Sequence, residues 1–190
     1  MTYSYNNRVD RLANLLGSLA LNLAEDGRAA MEEATGLAGS GTTALLALDE
    51  FLDRTHVGRL AEVVGLTHSG AVRLVTLLER QGLAERTAGA DRRRVEVALT
   101  TAGRRRAATA RAARDDVVRR TLTSLDPAET RALEELLDQL VSAGVAARVE
   151  RRASGDAGGA WWCRGCDFEA CGRPEGRCPA QVTAARPRSL

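Results

Sequence analysis

The chain has 190 residues, of which 44% are hydrophobic and 27% charged, the balance of a soluble globular protein with one main domain and a small appendage. No run approaches the roughly 18 apolar residues of a spanning helix, which excludes a helical membrane protein. Residues 1–10 lack the basic-then-apolar pattern of an export signal, so a cytoplasmic location is expected. The net charge of +2 is a remainder, because residues 51–121 carry 15 arginines against 8 acids between acidic flanks at 1–50 and 122–160. Lysine is absent, so every basic side chain is a guanidinium apart from the 2 histidines.

Proline first occurs at Pro127, which leaves the preceding chain open to long helices. Val9, Leu12, Leu16, Leu19 and Leu23 recur at three- and four-residue steps and predict a helix over 8–35, closed by Gly36 and Gly39. A second helix fits 41–52, with Leu45, Leu46, Leu48, Phe51 and Leu52 for burial. A third spans 57–64, ended by Gly65 at a left-handed cap position. Thr67 caps a fourth helix over 68–81, with Val72, Val75 and Leu78 facing inward.

Beyond Gly82 the period changes. A short strand at 85–87, a basic stretch at 88–94 and the alternation of Val95, Val97 and Leu99 predict a small hairpin. A long helix follows over 101–122. Asp126, Pro127 and Glu129 then form a strong helix start, with Asp126 as cap and Glu129 able to bond back. That helix, carrying Leu133, Leu136, Leu137, Leu140, Val141 and Val145, is expected to end near 151. The fold class is therefore mainly α, with a small β-hairpin.

Two short helices joined by a glycine turn and followed by a basic hairpin describe a winged helix-turn-helix. The major groove of DNA admits one helix, and the first residues of that helix reach base edges. Thr67, His68, Ser69 and Gly70 are small or polar enough for close approach, and Arg73 can reach a guanine edge or a phosphate. In the loop, Arg92, Arg93 and Arg94 can straddle the backbone or enter a narrow minor groove, with Asp91 holding a neighbouring arginine. His56 and His68 read as polar helix-start residues. No paired carboxylates, nucleophile–base set or phosphate loop emerges, so an enzyme is not expected.

The residues from Leu60-Ala61 through Gly65-Leu66-Thr67, then Arg73-Leu74-Val75, Leu78 to Leu83 and Asp91 to Gly103 resemble the MarR family of bacterial transcription regulators. The wing signature falls on Asp91, Arg93, Val97, Leu99 and Thr100, and the resemblance covers about residues 8–150. It implies an obligate homodimer through helices at about 8–35 and 126–151, with a DNA-binding part at about 41–100. It also implies double-stranded DNA with a pseudo-palindromic operator as partner, and a repressor released by a small-molecule effector. The broad leucine stripes of the terminal segments agree with dimerisation.

Residues 153–160 read as a flexible linker. Behind it, Cys163, Cys166, Cys171 and Cys178 follow a C-x2-C-x4-C-x6-C spacing that departs from the family pattern. Four thiolates on a glycine-bearing loop can surround one tetrahedral ion, so residues 161–180 are expected to be a zinc module. An iron–sulfur cluster and a reversible disulfide pair are the alternatives, and a partner-docking segment is a further one. Residues 181–190 are expected to be a flexible tail.

Overall fold

The computed structural model describes residues 2–88, 95–156 and 159–186, with side chains from Arg8 onward. Helix α1 (Thr2–Thr35) is ended by Gly36 at φ +67°, where glycine is unstrained. Helix α2 (Gly39–Glu50) starts two residues earlier than expected. Its cap comes from a distance, since Glu32 on α1 accepts the Gly39 N–H through Oε1 at 2.7 Å. That bond and the Arg28 guanidinium, the larger influence, hold the Glu32 carboxyl below its ordinary range.

Helices α3 (Val57–Val64) and α4 (His68–Arg80) meet at the Gly65 turn, whose φ of +80° is the expected left-handed cap. The inward face of α4 is Ala71, Leu74, Val75 and Leu78, whereas Val72 faces solvent. The expectation for Val72 is thus corrected. Strands β1 (Ala84–Ala88) and β2 (Val95–Leu99) pair antiparallel, Ala84 opposite Leu99 and Ala88 opposite Val95. A bridge from Thr55 to Val97 adds a third, unexpected edge to this sheet.

Helix α5 (Thr101–Leu122) packs along α1 and α2. Arg111 ties α5 to α2 through Asp49 at 3.2 Å and Glu50 at 2.9 Å. Helix α6 (Pro127–Ala153) opens with the full capping box of Asp126 and Glu129. The main core gathers α2, α3, α4, the hairpin and the first half of α5 around Leu45, Leu48, Leu60, Val75, Leu78 and Leu99.

Much of α1 and α6 lies outside that core. Leu12 is 65% exposed and Leu136 55%, and Val9, Leu15, Leu16, Leu19, Leu137 and Leu140 are similarly open. No described helix is long and apolar enough to cross a membrane. The C-terminal segment forms a 3₁₀ turn at Trp162–Gly165 and a helix α7 (Pro179–Ala185) against α6. Residues expected to begin a flexible tail at 181 are therefore helical through Ala185, because Pro179 starts a helix whose Ala180 is buried against α6.

One glycine carries a close contact on which the hairpin–α5 junction depends. A Cβ on Gly103 would lie 1.9 Å from the Leu83 carbonyl oxygen, the same oxygen that accepts the Thr100 N–H at 3.1 Å. Gly103→Ala should cost about 3 kcal/mol, as overpacking against fixed backbone does, measured as a lower urea midpoint at unchanged slope.

Candidate DNA interface and cysteine module

The start of α4 is held by Thr67, whose Oγ1 accepts the Gly70 N–H at 3.1 Å and stands 3.3 Å from the Ser69 hydroxyl. Thr67, His68, Ser69 and Arg73 are all exposed and Gly70 is half-buried, so the turn presents a free polar face. Three of its backbone N–H groups point out of a helix N-terminus, which favours an anion. His56 caps α3, its Nδ1 accepting the Arg59 N–H at 2.9 Å, which is the bland role expected of it.

The hairpin stands beside α4. Arg86 on β1 pairs with Glu79 of α4 at 2.5 Å, and Arg54 reaches Thr87 at 3.1 Å and Glu96 at 3.5 Å. The Arg86–Glu79 pair holds the hairpin against α4, and the Arg54 bonds hold it against the segment between α2 and α3. Asp91, Arg92, Arg93 and Arg94 lie outside the described residues.

The cysteine segment docks on the helical domain through bonds that local sequence patterns do not reveal. The Trp161 N–H donates to the Val63 carbonyl at 2.9 Å, and its indole lies between Arg59 at 4.2 Å and Arg152 at 5.0 Å. Phe51 contacts Trp161 and Phe168, with ring centroids 5.6 and 6.0 Å away, so it links core to appendage rather than serving the core alone. The Phe168 N–H donates to Glu50 at 3.3 Å, Arg114 donates to the Gly165 carbonyl, and Arg148 donates to the Ala160 carbonyl at 2.7 Å. Gly144 makes room for Trp162, which approaches within 2.8 Å of where a Cβ would stand.

None of the four cysteines is disulfide-bonded. Cys163 and Cys166 share a hydrogen bond, as do Cys171 and Cys178, and Cys171 also interacts electrostatically with Cys163 and Cys166. Among the described residues no three His, Cys, Asp or Glu side chains gather in a way that could hold a metal ion. The thiols set one another's proton affinities. Cys166 is pushed up mainly by Cys163, then by burial and Cys171, with Arg114 opposing. Cys171 is pushed up by burial and by Cys178. Cys163 is the exception, lowered to about 6 because Cys166 donates to its thiolate and Arg173 stands near, against the cost of burial.

A profile of the MarR family matches residues 35–94. That stretch, about a third of the chain, is similar to the MarR family. No curated protein matches the sequence. Among solved structures, YusO from Bacillus subtilis is 22% identical with a TM-score of 0.63, covering 73% of this chain and 97% of its own. RV1404 from Mycobacterium tuberculosis is also 22% identical, with a TM-score of 0.64, covering 72% of this chain and 94% of its own. A mutant of MepR from Staphylococcus aureus, bound to an oligodeoxyribonucleotide, is 19% identical with a TM-score of 0.54, over 70% of this chain and 96% of its own. These likenesses show that the chain has the fold of those proteins.

The thiol couples give the module a distinct reactivity. In reduced, metal-free protein, iodoacetamide at near-neutral pH should label Cys163 before Cys166 and Cys171, and the rate should fall as pH drops through about 6. Peptide mapping by mass spectrometry checks the order.

Proposed function

We propose that the protein is a sequence-specific DNA-binding transcription regulator, a homodimeric cytoplasmic repressor released by a ligand, metal or redox signal. The carrying observation is the exposed start of α4, with Thr67, His68, Ser69 and Arg73 on its free face and β1 held beside it by the Arg86–Glu79 pair. Arg73 lies one turn inside the helix, where a guanidinium reaches O6 and N7 of guanine with two bonds. The exposed leucines of α1 and α6 are the surface a second copy would cover. Two recognition helices would then meet successive major grooves about 34 Å apart on a pseudo-palindromic operator. The oligodeoxyribonucleotide bound to the MepR mutant supports the same use of the fold here.

We further infer that Cys163, Cys166, Cys171 and Cys178 hold zinc. The hydrophobic cluster around the module contains only Val145, Cys178 and Ala180 as fully buried members, too little to shape the 163–178 loop without a staple. The thiols would close from two couples onto one ion, and thiolate charge would be offset by Arg114 and Arg173. A pair of thiols for each of two irons is the competing use of the same arrangement.

Band-shift titrations on the DNA upstream of the gene should show saturable binding that weakens steeply with salt. Arg73→Ala should lose roughly tenfold or more in specific affinity, in line with one bidentate base contact; undiminished affinity would overturn the assignment. Elemental analysis of protein purified without oxygen should find zinc close to one per chain. Iron with a visible absorbance band would replace zinc by the cluster, and neither metal would leave the thiol couples as a redox pair.

A further inference from the structure

The turn that joins α3 to α4 is covered by the chain leading into the cysteine segment. Val63 belongs to the last turn of α3, where carbonyls lack partners within the helix. Its carbonyl accepts the Trp161 N–H at 2.9 Å, so the extension supplies a bond that α3 cannot make for itself. One residue earlier, Ala160 packs on the turn. A Cβ on Gly65 would stand 3.0 Å from the Ala160 Cβ and 3.1 Å from its backbone nitrogen. Gly65 thus has two reasons to lack a side chain, its φ of +80° and the closeness of Ala160.

Helix α6 holds the other side of this segment. Arg152 donates to the Gly159 carbonyl at 3.1 Å, and Arg148 donates to the Ala160 carbonyl at 2.7 Å. The Trp161 indole then lies between Arg152 of α6 and Arg59 of α3. Residues 159–161 are therefore a strap from α6 across the end of α3, and the strap runs straight into the cysteines. The Trp161 carbonyl accepts the Arg164 N–H at 3.4 Å and its guanidinium at 2.8 Å, within the 3₁₀ turn that carries Cys163. Farther along, Cys178 is buried beside Val145 of α6, with Cys163 and Cys171 packed against that cluster.

The strap has room to move. Phe51, Trp161 and Trp162 with Arg148, Arg152 and Arg173 line a cavity of about 440 Å³ between α6, the cysteine segment and α7. Cys163 also lines it, near Arg173. An indole with a hollow on one side shifts without the strain that a filled core would impose.

We propose that residues 159–161 are a brace on the helix-turn-helix, with Trp161 as its positioning residue, and that the packing of the cysteine segment sets how firmly the turn between α3 and α4 is held. With the cysteines well packed, Trp161 stays against Val63 and Arg59, and the start of α4 keeps its orientation. When that packing fails, Trp161 relaxes toward the cavity and the Gly65 turn opens more often. An operator that two such turns must meet in register then binds less tightly. The effect on DNA rests on the DNA-binding reading above, whereas the brace itself does not.

The test uses the full-length reduced protein with whatever metal it carries on purification. Amide hydrogen exchange, read by NMR, follows Gly65 and Leu66, whose N–H groups both bond the Ala61 carbonyl at 2.9 Å and report opening of the turn. Gly36, bonded to the Glu32 carbonyl at 2.8 Å, is the internal control. Trp161→Ala should speed exchange of Gly65 and Leu66 about tenfold and leave Gly36 unchanged. Trp161→Phe, which keeps a ring against Arg59, should restore most of the protection. Ala160→Gly, which removes the methyl seated on the turn, should act in the same direction with a smaller factor. Cys178→Ser and Cys171→Ser should each speed the same two amides several-fold, and should add little once Trp161 is alanine.

Circular dichroism verifies folding, and one folded variant from each group suffices. Unchanged exchange at Gly65 and Leu66 in folded Trp161→Ala or Ala160→Gly protein overturns the brace. Cysteine variants that leave these amides unchanged, or whose effects add fully to those of Trp161→Ala, overturn the link to the cysteines. Operator affinity is read separately and should fall several-fold in Trp161→Ala, with binding to unrelated DNA unchanged. A loosened turn with unaltered operator affinity refutes the effect on DNA while the brace stands. Wild-type protein that binds no DNA refutes the DNA-binding reading instead.

Discussion

One side chain joins the two halves of this molecule. Trp161 donates its backbone N–H to the end of α3 and lays its indole between arginines of α3 and α6, with Phe51 of α2 at its edge. Each cation–π contact contributes about 0.5–2 kcal/mol and the ring pair about 0.5–1.5. These values are modest singly, but they converge on one residue that touches α3, α6 and Phe51 at the end of α2. Without this anchor, residues 161–186 would keep their bonds to α2, α5 and α6 but lose the bond to Val63 of α3.

That anchor is one of several bonds that supplement the small core of the module. Its fully buried members are few, yet Glu50, Arg114 and Arg148 bond its backbone directly. The helical domain thus supplies hydrogen-bond partners that a free peptide of this length would lack. Arg111 fixes the carboxylates of Asp49 and Glu50 from the other side. The α2 terminus, where Glu50 sits, is a shared junction between core and appendage.

The sequence was legible wherever the signal is local. Gly65, the Asp126–Glu129 capping box, the hairpin alternation and the glycine-closed α3 all depend on residues within a few positions of one another, and the structure agrees with each. Non-local features were hidden. The start of α2 depends on a carboxylate seven residues upstream on another helix. Choosing between Val72 and Leu74 for the inner face of α4 depends on how that helix rolls against its neighbours, since both are apolar. The docking bonds of Trp161 and Phe168 use main-chain groups, which carry no sequence signature. At the candidate site, the polar turn at 67–70 and Arg73 were legible as a run of small and polar residues, and the structure leaves Thr67, His68, Ser69 and Arg73 exposed. The arginine–aromatic cavity was not, because its walls come from four separate stretches of chain.

The separation of these stretches also makes single residues serve two neighbours. Cys163 and Arg173 both line the cavity beside α6 and α7, and Arg173 stands near the Cys163 thiolate, whose proton affinity it helps to lower. Removing that guanidinium would therefore change the thiol and the cavity wall together, a coupling that the cysteine spacing alone does not announce.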